Sequence, residues 1–241
     1  MLDLGCKYGI FIKEEIKPVE NELMEQTITQ AEVLVLLEGG EGEIAEKKSR
    51  FIATVRNVES EEQAQLFIEE MKKKYWDAKH NCSAYVIGRK GELTRCSDDG
   101  EPAQTAGRPM LEVLLGSGIR NVAVVVTRYF GGVLLGTGGL VRAYTQAVQE
   151  GLKKCRVGLE RFGIRYDLYT DYNYVGKILY ILSERGLSQE EAEYTDTVRL
   201  RVLISQQEAD SFVKAVTEAT GGKTEIAEVD RTYFIDKKNS L

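Results

Sequence analysis

The chain switches repeatedly between two hydrophobic periods. "AEVLVLLEGG" reads as a short strand running into a Gly-Glu loop, and "RFIATVRNV" sets Phe51, Ala53 and Val55 against Ile52, Thr54 and Arg56, the period of two expected of a strand. Beyond it Ala64, Phe67, Ile68, Met71 and Tyr75 recur at helical spacing, behind a capping-box pair, Ser60 and Gln63. "NCSAYVIG" returns to strand, with "GELTRC" as its antiparallel partner. Pro109, a favoured first-turn residue, opens a helix carrying Met110, Leu111, Leu114 and Leu115 that stops near Gly116–Gly118. "NVAVVVTRYF" is the unbroken β-branched run of a strand buried on both faces. "GGVLLGTGG" follows, then a helix with Leu140, Val141, Tyr144, Val148 and Leu152 along one side.

After "KKCRVGLE" the pattern restarts. Phe162, Ile164, Tyr166 and Leu168 alternate as a strand, and Val175, Ile178, Leu179 and Leu182 form a helix face ending at Gly186. Two strands flank Asp196, a second capping box (Ser205, Glu208) opens a helix stopped by Gly221-Gly222, and "KTEIAEVDRTYFI" is a last strand. The order β-α-β-β-α-β is the ferredoxin-like arrangement. The expected organisation is therefore a tail or added strand over residues 1–30, a first domain over 31–155 and a second over 160–241, all of α+β class.

Composition narrows the class. At 241 residues with 43% hydrophobic and 29% charged positions, two packed domains are affordable. No apolar run approaches the roughly 18–20 residues of a membrane helix, and the N-terminus lacks a signal-peptide pattern. Four widely spaced cysteines do not form a disulfide framework, so a reduced, cytoplasmic protein is expected. The net charge of −6 argues against broad nucleic-acid binding and leaves only a local basic patch for that role. A single histidine, His80, excludes multi-histidine metal sites within one chain, and no metal or cofactor is expected.

Two stretches carry candidate chemistry. "SDDGEPAQTAGRP" crowds Asp98, Asp99 and Glu101 around Gly100 and Pro102. Paired carboxylates suit a divalent cation or acid–base work, but Asp-Gly followed by Glu-Pro also signs a turn, and acids before a helix favour its N-terminus. "RYFGGVLLGTGGLVRAY" joins a strand to a helix through glycines, as phosphate cradles do. Gly131 and Gly136 have the Walker spacing, but Thr137 stands where lysine is required; close backbone packing is the plainer account of Gly131, Gly132, Gly138 and Gly139. His80 and Cys82 share a strand face without an orienting third group. "KKSR" is a solvated edge or a complement to phosphate, and Arg165, Arg199 and Arg201 line the second sheet's open face without the stacking aromatics of RNA-reading sheets.

Together "KKSRFIA", "KHNCSAY", the acidic stretch and "VVVTRYFGGVLLGTGGLVRAY" resemble the IMPACT/YigZ family over residues 38–155, with the ferredoxin-like half similar to the second domain of bacterial members. The resemblance implies a first domain like domain 2 of ribosomal protein S5 and a second like the ferredoxin-like end domain of elongation factor G. It implies regulation of translation, as in the eukaryotic relatives, with RNA or ribosome binding the inference for bacterial ones. The family's motif positions fall on Lys48, Ser49, Arg50, His80, Asp98, Asp99, Gly100, Glu101, Pro102, Thr105, Gly107, Arg128, Tyr129, Gly131, Gly132, Gly136, Gly139 and Arg142. Gln104 departs from it, standing where many members have glycine.

The expected function is thus a non-enzymatic RNA- or ribosome-binding protein acting on translation. Contacts are expected from Lys48, Ser49, Arg50, His80, Arg108, Arg128, Tyr129, Arg142 and the loop glycines, with Tyr129 a stacking platform. Two alternatives stay open. One is a hydrolase using Asp98, Asp99 and Glu101, which requires a concave pocket. The other is a protein-binding adaptor, which requires an exposed apolar patch at Tyr129, Phe130, Val133 and Leu134.

Overall fold

The computed structural model describes residues 32–236, which form one compact unit; the sequence reading of 1–30 lies outside them. Strands β1 (Val33–Glu38), β2 (Glu41–Glu46) and β3 (Ser49–Asn57) lead into helix α1 (Glu61–Lys74), then β4 (His80–Ile87) and β5 (Leu93–Ser97). Next come α2 (Gly107–Ser117), β6 (Ile119–Arg120), β7 (Val122–Tyr129) and α3 (Thr137–Leu152). The second half contains β8 (Arg156–Thr170), α4 (Tyr172–Glu184), β9 (Gln189–Tyr194), β10 (Val198–Ser205), α5 (Gln206–Thr220) and β11 (Glu225–Asp236).

The first domain is a five-stranded antiparallel sheet in the order β2-β3-β7-β4-β5. Its central strand β7 is buried on both faces, which is why "VAVVV" lacks polar alternation. Val122, Val124 and Val126 pack under α2 and α3 with Phe51, Met110, Leu114 and Tyr144; Ala123 and Val125 pack against Phe67 and Met71 of α1. At α1 half of the expected capping box forms: Gln63 N–H donates to Ser60 Oγ at 3.3 Å, but Gln63 Oε1 accepts from the Glu59 N–H, one residue before the N-cap.

The second domain has the β-α-β-β-α-β order and the sheet order β11-β8-β10-β9, with α4 and α5 covering one face. At its helix α5 the expected capping box differs. Ser205 Oγ donates to Glu208 Oε2 at 2.6 Å and makes no bond to the helix backbone, so the two side chains satisfy each other.

Two elements depart from the sequence reading. Residues 41–46, read as loop, are strand β2, whose only inward residues are Gly42 and Ile44; a side chain at Gly42 would collide with the α3 backbone at Glu150–Gly151. Strand β1 does not join the first sheet. Leu34 pairs antiparallel with Leu159 of β8 and parallel with Ile119 of β6, so β1 extends the second sheet while β6 leads straight into β7. Arg89, in the β4–β5 turn, ion-pairs with Glu160 of β8 and lies 3.8 Å from the centroid of the Tyr233 ring.

Candidate nucleic-acid interface at the glycine loop

The acidic stretch is structural, and each carboxylate has its own task. Asp98 Oδ1 accepts from the N–H groups of Ala106 and Gly107 (3.0 and 2.8 Å) and Oδ2 from that of Gln104 (2.8 Å), so Asp98 caps α2 from nine residues upstream. Asp99 Oδ2 accepts from the Asn81 N–H at 2.7 Å, its Oδ1 meets Lys72 Nζ at 3.2 Å, and its carbonyl meets His80 Nδ1 at 2.9 Å. His80 therefore fastens the loop to β4.

Glu101 turns inward. Its Oε1 lies 2.5 Å from Arg128 Nη1 and accepts from the Tyr144 hydroxyl at 2.9 Å. Cys82 Sγ is 3.3 Å from that hydroxyl and 3.0 Å from the Asp98 carbonyl. Burial pushes the Cys82 thiol up to about 12, so it is neither a thiolate nor a nucleophile. Burial also raises Tyr144, as do Cys82 and Glu101, so its hydroxyl stays a donor. The Arg128 guanidinium lies 5.4 and 5.6 Å from the ring centroids of Phe51 and Phe130.

The placement of Arg128 corrects the expectation that it contacts phosphate. Its side chain is 7% exposed and neutralised by Glu101, so it has no surface to offer. Ser49 likewise is buried; its Oγ accepts the Gly131 N–H at 3.1 Å.

That bond joins two segments into one tip. The β2–β3 hairpin turns through Lys47 and Lys48, at φ 44° and 68°, left-handed conformations that cost a lysine about 1 kcal/mol each. Gly131 sits so close that a side-chain methyl there would overlap the Lys48 carbonyl. Beyond it Phe130, Val133 and Leu134 are 53%, 42% and 82% exposed. Gly136 at φ 71° leads into α3, whose start has neither a side-chain cap nor an acidic residue. Arg142, one turn on, is exposed; among the described residues no carboxylate pairs with it, with Lys47 or with Lys48.

Other expected contacts are committed elsewhere. Arg50 makes a bidentate pair with Glu43 (2.8 and 2.9 Å), Arg108 pairs with Glu112, and the Tyr129 hydroxyl donates to Asp77 at 2.8 Å. In the second sheet, Arg199 and Arg201 share Asp167 and the glutamates of β9, and Arg165 is held by Glu190 and Asp230. Those arginines do lie on the open face, but each is neutralised there.

A cleft of about 290 Å³ between α1 and β5 is lined by Asn81, Ser83 and Tyr85, on the sheet face opposite His80, Cys82 and Arg128. Asp98, Asp99 and Glu101 are not in its lining. Among the described residues no group of three or more His, Cys, Asp or Glu is placed to hold a metal ion, and no helix is long and apolar enough to cross a membrane.

The family model described as the Impact N-terminal domain matches residues 47–152, and a domain of unknown function, DUF1949, matches 169–223. The IMPACT family member YvyE of Bacillus subtilis is 43% identical over 206 residues, 85% of this chain and 94% of the relative. The chain belongs to the IMPACT family. Another IMPACT family member, YigZ of Escherichia coli, is 34% identical over 186 residues, 76% of this chain and 91% of its own. A crystal structure of a hypothetical protein aligns over 83% of this chain and 98% of its own, with a TM-score of 0.53 and 32% identity. This IMPACT family chain has the two-domain α+β fold, with each family segment falling in a different domain.

Proposed function

We propose that this chain binds RNA or ribosomes through the tip formed by the β2–β3 turn and the glycine loop, and thereby acts on translation without catalysing a reaction. One observation carries the reading: Lys47, Lys48 and Arg142 are exposed and pair with no carboxylate among the described residues, while Asp98 and Glu101 of the acidic stretch are withdrawn into a helix cap and a buried ion pair. A chain of net charge −6 can approach phosphate only where such segregation occurs. The role in translation that the family resemblance implies supports the same reading.

Co-sedimentation with ribosomes over a salt series tests it, beside Lys47→Glu/Lys48→Glu/Arg142→Glu. The reading expects pelleting that falls steeply with salt and disappears in the variant. No pelleting even at low salt contradicts it. A protein-binding adaptor is the second reading, favoured by the exposed Phe130, Val133 and Leu134. It expects pelleting that survives the charge reversal and is lost in Leu134→Asp.

A further inference from the structure

We infer that Phe130 is a base-stacking platform, and that the tip takes single-stranded in preference to duplex RNA. This rests on the reading above and goes beyond it by naming the form of the ligand.

Affinity for phosphate alone needs only cations. The tip carries more than cations: Phe130 presents 53% of its surface beside them. Its position next to the lysines is fixed by the backbone. Residue 131 is bonded to Ser49 and packed on the Lys48 carbonyl, so Phe130 follows the hairpin turn wherever it docks. The ring is also braced from below, 5.6 Å from the Arg128 guanidinium that Glu101 and Tyr144 lock in place. A braced aromatic loses little rotamer freedom when a base settles on it.

Tyr129 is ruled out for this role by its own bonds. Its hydroxyl is held by Asp77 and its ring faces Arg50, itself paired to Glu43. The second domain's sheet fares no better, since exposed Tyr169 stands opposite Arg199, already neutralised by Asp167 and Glu193. An exposed ring flanked by unpaired lysines fits a chain that offers phosphate and an unstacked base together. A duplex offers only the phosphates, because its bases are stacked on each other.

The test is fluorescence anisotropy on the full chain with a labelled RNA of about 12 nucleotides, within the usual range of single-strand site sizes, free and annealed to its complement. Phe130→Leu keeps the apolar bulk and removes the π face; Phe130→Trp restores one. Expected are tighter binding of the single strand, a loss of about tenfold or more in Phe130→Leu, recovery in Phe130→Trp, and an unchanged salt slope in both. Equal affinity for single strand and duplex overturns the inference, as does Phe130→Leu binding like wild type; either leaves the charge-based reading standing. Absence of binding to both RNAs overturns that reading, and the inference with it.

Discussion

Arg128 and Glu101 meet at 2.5 Å inside the first domain, with side chains 7% and 3% exposed. The pair links the acidic stretch to the end of β7, two residues before the glycine loop crosses the hairpin turn. The acids that invite a catalytic reading therefore act as anchors for the surface above them.

Breaking this pair leaves a charge buried without its counterion. Arg128→Met and Glu101→Gln are each expected to cost about 3–5 kcal/mol in urea unfolding, whereas Arg128→Met/Glu101→Leu recovers much of that loss. Single variants as stable as wild type would remove the anchor from the account.

The Lys47–Lys48 turn sets stability against binding. Asn-Gly suits this two-residue hairpin geometry, so Lys47→Asn/Lys48→Gly is expected to gain about 1–2 kcal/mol. The same variant should bind RNA more weakly, with a salt slope shallower by about 1–2. A gain in stability with no change in slope would show that the lysines touch no phosphate.

Gly131→Ala places a methyl against the Lys48 carbonyl, and no rotamer change relieves a clash with backbone. Loss of about 2 kcal/mol, as for a strained special backbone site, is expected together with weaker RNA binding. Thermal melting and anisotropy on one preparation check both.

Much of the fold was legible because periodicity and punctuation agreed. The β-branched run of β7, the apolar stripe of α1 and the stops at Gly118 and Gly221 all form as expected. Strand β2 was not legible, since "EGEIAE" has one inward apolar side chain and relies on Gly42 lying against α3. Nor was the sheet that β1 joins, because "VLVLLE" reads alike in either partner sheet. At the site, residue types were found and their direction was not. Arg128 looked like a surface cation, yet it pairs across the strands with Phe51 and His80, on the face covered by α2 and α3. The one available hint was Tyr144 within an apolar helix stripe, because a buried hydroxyl needs a partner.

Gln104, where the family resemblance implies glycine, takes a backbone conformation that suits glycine. Its φ of 63° is left-handed, and its N–H must still reach Asp98. Gln104→Gly is expected to raise stability by up to about 1 kcal/mol, the relieved strain less glycine's greater entropy cost. A lowered melting temperature would contradict this.

Cys82 supplies a pH dependence. Its pKa rises on folding from 9.0 to about 12, mainly through burial, so the folded protein keeps a proton that the unfolded chain releases. The stability from this thiol is complete below about pH 9 and is lost as pH rises toward 12. Wild type and Cys82→Ala should therefore keep a constant difference at neutral pH that shrinks across that window. A difference independent of pH up to 12 would refute the burial argument.

The most direct test of the account is photocrosslinking to ribosomes from a benzophenone side chain placed at position 134, on the glycine loop, or at 169, on the open face of the second sheet. The account predicts crosslinks to RNA from position 134 and none from 169. Crosslinks from 169 alone would move the binding surface to the second domain and contradict the central claim.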